Sequence, residues 1–480
     1  MLKIEFVKQA PQQAPLYAVA INDETQFSIL PPLAREVLKR KPHDQIVEVF
    51  LPQKSSPQRL LIVRCNKQYS RQEREEAGAA LIKKAAEGID KTLILDIKEL
   101  DAIGLDLITG MLLSCWRFHS HRTQFQPGEC SPIEKLIIVC SQPKKLEKQF
   151  QRMKACVEGV LFARSLTSEP PNLFYPTAYA QSLLALQEWG VEVEILDEDA
   201  LQSIGMTALL AVGQGSIHSS SVVVLKWNGT KKDISPIALV GKGVCFDSGG
   251  LFLKPKEQQI PMKWDKAGAG VVAGVIKALA LSNAPVNVIG VIGLVENMPD
   301  GAAAKPGDII RTMSGQTVEI ADTDAEGRLV LADCLWYAQQ KFKPRVLVDL
   351  GTLTVETMAS LGSVYAGLYC NDTSLAQALK EAGHQSGDWL WELPMGPFFA
   401  KQIESPVADM KNVGLDLNGE NGAAAEFLKR FVQETSWAHI DIAGTSWTKE
   451  DLPLAHKGVT GFGVRLLEEW LYSNAAFKCS

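Results

Sequence analysis

Apolar positions in the first 150 residues come in short runs separated by charged stretches. Runs of roughly four to eight apolar residues bounded by turn formers read as strands, and longer stretches with a period near 3.6 read as helices. On that basis PLYAVAI at 15–21, IVEVFL at 46–51, LLIVRC at 60–65, TLILDI at 92–97 and KLIIVC at 135–140 are predicted strands. A charged helix is predicted over 71–87 and a more apolar one over 105–117. The lysine-rich stretch 143–165 predicts a connecting helix. SEPPN at 168–172, with Pro176 beyond it, predicts a turn-rich joint. The expected organisation is an N-terminal α/β domain over 1–150, a connecting helix and linker over 151–170, and a larger domain over 171–480.

Strands and helices alternate in the larger part. Strands are predicted at 222–227, 237–242, 286–295, 317–321, 346–350 and 439–443, and helices at 269–280, 329–341, 375–383, 423–434 and 463–472. Alternation of this kind is the pattern of parallel crossovers. The expected fold class is therefore α/β: a smaller N-terminal α/β domain, then a larger α/β domain with a mixed, largely parallel central sheet. Ligands of open α/β sheets sit beyond the carboxyl ends of strands. The charge and glycine clusters after these strands are the places to search.

Composition narrows the function. The chain has 480 residues, 46% hydrophobic and 22% charged, which excludes a disordered, collagenous or coiled-coil protein. Net charge is -6 and the pI about 5.8, which argues against polyanion binding as the main task. The first 150 residues hold 22 Lys and Arg against 18 Asp and Glu, a mild excess that is the sole support for a DNA-binding role of the N-terminal domain. Nine cysteines without a CxxC pair argue against a disulfide framework and favour a reduced, cytoplasmic setting. No apolar run reaches the length of a membrane span, and MLKIEFVKQAPQQ lacks the features of a secretory signal. The HxH at His119-Ser120-His121 reads as surface.

Three clusters carry candidate chemistry: Gly241–Gly250 (GKGVCFDSGG) with Lys254 after it, Met262–Gly268 (MKWDKAG) before a helix, and Asp322–Arg328 (DTDAEGR) between a strand and a helix. In the third the acids alternate, and in an extended segment alternate side chains share one face. Aligned acids repel unless cations neutralise them. HExxH and zinc-spaced Cys/His pairs are absent from the sequence, and carboxylate-rich sites suit Mg2+, Mn2+ or Zn2+. Bridging carboxylates can hold two ions, and such a pair polarises a carbonyl and activates water. Lys242 could join as a ligand only when deprotonated. A GxGxxA at Gly268, Gly270 and Ala273 is the alternative of an NAD-dependent oxidoreductase, but PMKWDKA before it is too polar for the strand such a site needs. Neither GxSxG nor a P-loop occurs. Cys245 and Cys334 read as buried, inert thiols.

TDAEGRL at 323–329 and GKG…FDSGG at 241–250 resemble the cytosolic leucine aminopeptidase family of dinuclear metallo-exopeptidases. The likeness extends over ENMPDGAAAKPGDIIRTMSGQTVEI (296–320), DMKNVG (409–414), AAEFLKRFV (424–432), WAHIDIAGT (437–445) and KGVTGFGVRLL (457–467), covering about residues 165–471. The resemblance implies a metal-dependent aminopeptidase that releases N-terminal residues from short peptides by attack of a metal-bridging water. It implies two divalent ions per subunit, Zn2+ or Mn2+, one held by Lys242, Asp247, Asp265 and Glu326 and the other by Asp247, Asp324 and Glu326. It further implies that Lys254 stabilises the tetrahedral intermediate and that Arg328 holds a bicarbonate acting as general base. The substrate's α-amine would bind one ion, and the assembly would be a homohexamer.

Departures from the family's pattern bear on specificity more than on chemistry. Asp322 stands where the family has Asn, and Lys266 lies in Asp265-Lys266-Ala267-Gly268-Ala269 where it reads DMGGA. The resemblance makes Met262, Thr352 and Val355 walls of the first-residue pocket, with Val355 in place of a glycine. Val355 is expected to narrow that pocket, and Glu356 to favour basic residues.

Overall fold

A computed structural model describes residues 2–11, 15–22, 30–52, 58–124, 131–230, 234–414 and 419–477. The chain forms two compact units, one of residues 1–157 with 450–457, the other of 158–449 with 458–480.

The first unit is built on six strands: β1 (Lys3–Val7), β2 (Leu16–Ile21), β3 (Ile46–Leu51), β4 (Gln58–Arg64), β5 (Thr92–Asp96) and β6 (Lys135–Val139). Their order is β1-β6-β5-β2-β4-β3, with every neighbouring pair parallel except β3 and β4. The interior of β4 is buried along its whole length, as expected of a strand covered on both faces. Helices α1 (Pro32–Arg40), α2 (Arg71–Ala85), α3 (Asp101–Ser114) and α4 (Pro143–Ser168) accompany the sheet, and the unit boundary falls within α4. The α2 start is fixed by a capping box in which Ser70 Oγ accepts from Glu73 N and the Glu73 carboxylate accepts from Ser70 N. All five strands predicted in this part are present within two residues; β1 and α1 were not predicted.

After the last part of α4, the second unit runs through α5 (Pro176–Ser182), β7 (Glu192–Leu196), α6 (Glu198–Ile204), α7 (Thr207–Gly213), β8 (Ser221–Asn228) and β9 (Ile237–Asp247). It continues through α8 (Lys256–Gln259), α9 (Ala267–Leu281), β10 (Asn287–Asn297), β11 (Ile309–Arg311), β12 (Thr317–Glu319), α10 (Gly327–Phe342) and β13 (Val346–Gly351). Then come α11 (Val355–Leu361), β14 (Ala366–Cys370), α12 (Thr373–Ser386), β15 (Leu390–Glu392), α13 (Pro397–Gln402), β16 (Met410–Lys411), α14 (Glu420–Lys429), β17 (Ser436–Asp441) and finally α15 (Val464–Phe477). Eight strands form one sheet in the order β15-β14-β17-β13-β9-β10-β8-β7. The four central strands are mutually parallel, flanked by antiparallel pairings at β17–β14 and β10–β8. The fold class is the mixed, largely parallel α/β sheet expected from the sequence.

Alternation along β9 decides what each face meets. Ala238, Val240 and Val244 lie in one large core with α7, α10 and α14. On the opposite face Gly241 and Gly243 receive α9. A Cβ at Gly268 would stand 2.3 Å from Leu350 O, so the glycines of GxGxxA let α9 lie against the sheet. A 3-10 turn, Ile260–Trp264, precedes them rather than a strand. That arrangement gives the oxidoreductase alternative no support. Among the described residues no helix is long and apolar enough to cross a membrane.

Candidate active site

Three adjacent parallel strands end at one place. β9 carries Lys242 and closes on Asp247, β10 closes on Asn297, and β13 passes from Gly351 to Thr352. Asn297 pairs with Asp247 across a register shift at the end of β10. Asp265 comes from the turn before α9, while Asp324 and Glu326 come from the turn before α10. These are the carboxyl ends of central strands, where open α/β sheets place ligands.

Carboxylate oxygens of Asp247, Asp265 and Glu326, all buried, lie within 4.8 Å of one another. Two lysines thread the cluster. Lys242 Nζ is 2.9 Å from Asp265 Oδ1 and 2.8 Å from Glu326 Oε1, and it donates to Thr352 O at 2.8 Å. Lys254 Nζ is 2.9 Å from Asp247 Oδ2 and 2.5 Å from Asp324 Oδ1. A Cβ at residue 327 would fall 2.5 Å from Lys242 Cε, so Gly327 at the start of α10 leaves the passage for that side chain. Asp247 Oδ1 accepts from Asn297 Nδ2 at 2.8 Å and from Gly249 N at 2.9 Å. Asn297 Nδ2 also donates to Thr323 O at 3.0 Å, tying two of the acidic stretches together. Thr352 Oγ1 donates to Asp265 Oδ1 at 2.5 Å.

The charges do not balance. Two ammonium groups face the four carboxylates of Asp247, Asp265, Asp324 and Glu326. Burial pushes the carboxyls of Asp247 and Asp265 up, and Glu326 adds to the effect in both. Asp324 is pushed up to about 7 by burial, with Asp247 and Glu326 contributing. Glu326 goes the other way: burial disfavours its anion, but Lys242 and Lys254 outweigh that and hold the carboxyl below its usual range. Burial also disfavours both lysine cations, yet the surrounding carboxylates raise Lys242 and Lys254 above the ordinary lysine value. Asp265 Oδ2 is buried without a hydrogen-bond donor. An orphaned carboxylate oxygen in an over-acidic, largely buried cluster fits a divalent cation.

Of the residues singled out in the sequence, Lys242, Asp247, Lys254, Asp265, Asp324, Glu326 and Thr352 come together here. Asp322 does not line up with Asp324 and Glu326 on one face. Its Oδ1 accepts from Asp324 N at 2.7 Å, closing a turn that replaces the expected extended segment. Met262 is half-buried in the 3-10 turn, and Val355, 69% exposed, opens α11. Lys266 is fully buried, with Nζ donating to Glu169 O at 3.0 Å and Lys263 O at 2.5 Å, and burial pushes it down to about 8. Burial pushes the Cys245 thiol up to about 12, and Cys334 is also raised, so both are inert.

Arg328, the second residue of α10, is buried and donates through Nη1 to Glu420 Oε1 at 2.5 Å and to Asn412 O at 2.7 Å. Glu420 Oε2 accepts from Gly414 N at 3.0 Å. Asp441, at the end of β17, accepts from Leu353 N, Thr354 N and Thr354 Oγ1 and so fixes the turn carrying Thr352. Asn297, Asn412, Glu420 and Asp441 were not singled out from the sequence. Asn297 lies at the end of an apolar strand and inside the family-like stretch 296–320, but neither marks it as a partner of Asp247.

Comparison with known proteins bears on this geometry. Residues 161–468 match the cytosol aminopeptidase family, catalytic domain. The chain is 42% identical over 433 residues to a probable cytosol aminopeptidase of Bradyrhizobium sp. (strain BTAi1), covering 89% of this chain and 87% of the relative. It is 47% identical over 360 residues to a probable cytosol aminopeptidase of Caulobacter vibrioides, covering 75% and 73%. Among solved structures, "Bottromycin maturation enzyme BotP in complex with Mn" superposes with a TM-score of 0.86 at 29% identity, covering 96% of this chain and 100% of that one.

Proposed function

The chain belongs to the cytosol aminopeptidase family and is a leucyl aminopeptidase-type hydrolase; from that premise we propose a metal-dependent reaction at the cluster of Asp247, Asp265 and Glu326. The observation that carries the reading is the convergence of these three buried carboxylates from three separate stretches. Lys242, Asp247, Asp265, Asp324 and Glu326 would hold two divalent ions, Zn2+ or Mn2+, with Asp247 and Glu326 shared between them. When bound, such ions supply Lewis acidity toward the scissile carbonyl and activate the attacking water.

The remaining work falls to this chain's side chains. Lys254 stays an ammonium because Asp247, Glu326 and Asp324 outweigh its burial. It is a fixed positive charge at the rim of the cluster, suited to stabilising negative charge that develops on the peptide oxygen. Thr352 and Asn297 hold the carboxylates of Asp265 and Asp247 in place through hydrogen bonds. Burial keeps water from competing for those carboxylates.

The substrates in this reading are short peptides with a free N-terminus, the assembly is a homohexamer, and the setting is cytoplasmic. Val355 is part of the wall that selects the first residue, and its exposure leaves it free to touch a substrate. Chelator-stripped protein should lose hydrolysis of aminoacyl amides and regain it with Zn2+ or Mn2+. Full turnover after verified removal of metal would overturn the reading. Light scattering would test the assembly separately.

A further inference from the structure

The family resemblance gives Arg328 a bicarbonate to hold. The residues around Arg328 do not fit that anion. Arg328 sits at the amino end of α10, where the helix already presents partial positive charge, and it is buried. A buried cation there needs a negative partner close by. Glu420 is that partner: its Oε1 lies 2.5 Å from Arg328 Nη1, and the same Nη1 is shared with Asn412 O at 2.7 Å. The second carboxylate oxygen, Oε2, accepts from Gly414 N. Glu420 is itself buried, so its charge is little screened by solvent. Both contacts use Nη1, and a further anion reaching that nitrogen would meet this carboxylate, where like charges at short range repel.

We propose that Glu420 is the built-in anion of this active site: its carboxylate fills the seat on Arg328, and the enzyme neither binds nor requires bicarbonate. Glu420 is a positioning residue. It holds the guanidinium two residues from Glu326 and accepts from Gly414 N. The proposal deepens the aminopeptidase reading, and its kinetic part rests on that reading, whereas its binding part does not.

The test uses the zinc-loaded full chain in carbon-dioxide-free buffer, with calorimetric titration of bicarbonate beside turnover of an aminoacyl amide. Wild type should give no saturable heat, and its turnover should be the same with and without bicarbonate. Glu420→Ala opens the seat: turnover should fall at least tenfold, and bicarbonate or formate should bind saturably and restore it. Glu420→Gln keeps the shape and a hydrogen bond to Gly414 N but removes the charge. It should lower turnover without rescue, because the seat is still filled. Saturable bicarbonate binding by wild type would overturn the proposal. So would wild-type turnover from Glu420→Gln, or a folded Glu420→Ala that neither binds nor is rescued by the anions. Should Glu420→Ala fail to fold, the wild-type titration and Glu420→Gln still decide. A protein inactive on every peptide would sink the aminopeptidase reading and leave the titration result standing.

Discussion

Replacing Thr352 with valine separates two roles for one residue. The resemblance makes Thr352 a wall of the first-residue pocket, while the geometry gives it the donor on Asp265 Oδ1 at 2.5 Å. Valine keeps the branched shape and deletes only the hydroxyl. Asp265 would retain Lys242 as its partner but lose the hydrogen bond that opposes its protonation. Hydrogen bonds to charged groups contribute about 1.5–3 kcal/mol. At about 1.4 kcal/mol per tenfold, losing one weakens an equilibrium by about 10- to 100-fold. That range is also typical when a partner that orients a metal ligand is removed. Thr352→Val should therefore weaken metal binding by about that factor, read by competition with a chromophoric chelator, and should leave the order of preference among first residues unchanged. Unaltered metal affinity with a changed substrate preference would refute the positioning role and leave only the pocket wall.

Three other outcomes follow from the same contacts. Asn297→Leu removes the Nδ2 donor shared by Asp247 and Thr323 O, so thermal melting of the metal-free protein should show a loss of about 1–3 kcal/mol; an unchanged melt would mean that Asn297 fastens nothing. Asp333 Oδ2 accepts from Ala208 N and Leu209 N and its Oδ1 from Met313 N, while burial pushes its carboxyl up to about 6. The folded state thus binds this proton more tightly than the unfolded chain, and its contribution to stability should decline as pH rises from about 4 to about 6. Asp333→Asn should lower stability to urea by about 1–3 kcal/mol, without that slope and without changing turnover per folded molecule. Metal-free protein should behave likewise at the main cluster. Asp324 is raised to about 7, and Asp247 and Asp265 are raised as well, so stability falls as pH climbs through the range from about 4 to about 7, with the lowered Glu326 opposing in part. Saturating Zn2+ should flatten the slope of melting temperature against pH, and an identical slope with and without the ion would contradict the charge imbalance.

Legibility in the sequence tracked how local the cause was. Lys242, Asp247, Asp265, Asp324 and Glu326 lie in three compact stretches, along and at the end of β9 and in the turns before α9 and α10, so pattern and resemblance together picked them out. Asn297 reaches Thr323 and Asp247, 26 and 50 residues away, and Asn412 and Asp441 act on partners more than 80 residues away, and no local pattern announces that. Glu420 is 92 residues from Arg328 and joins it only through folding. Asp322 shows the opposite error: alternation suggested one shared face, but a short polar side chain closed a turn instead. The three-residue strands β11, β12 and β15 are shorter than the window over which periodicity is read, although β12 falls inside the strand predicted over 317–321, where Thr317, Val318 and Ile320 are β-branched. Helix α9 is buried nearly all round, so it carries little amphipathic signal and was found by its apolar length.

Anomalous diffraction from crystals grown with zinc would locate the ions themselves. Two peaks should lie within coordination distance of Asp247 and Glu326, one of them also beside Asp265 and the other beside Asp324. Metal found elsewhere on the protein, with this cluster still closed by its two lysines in an active enzyme, would contradict the account at its root.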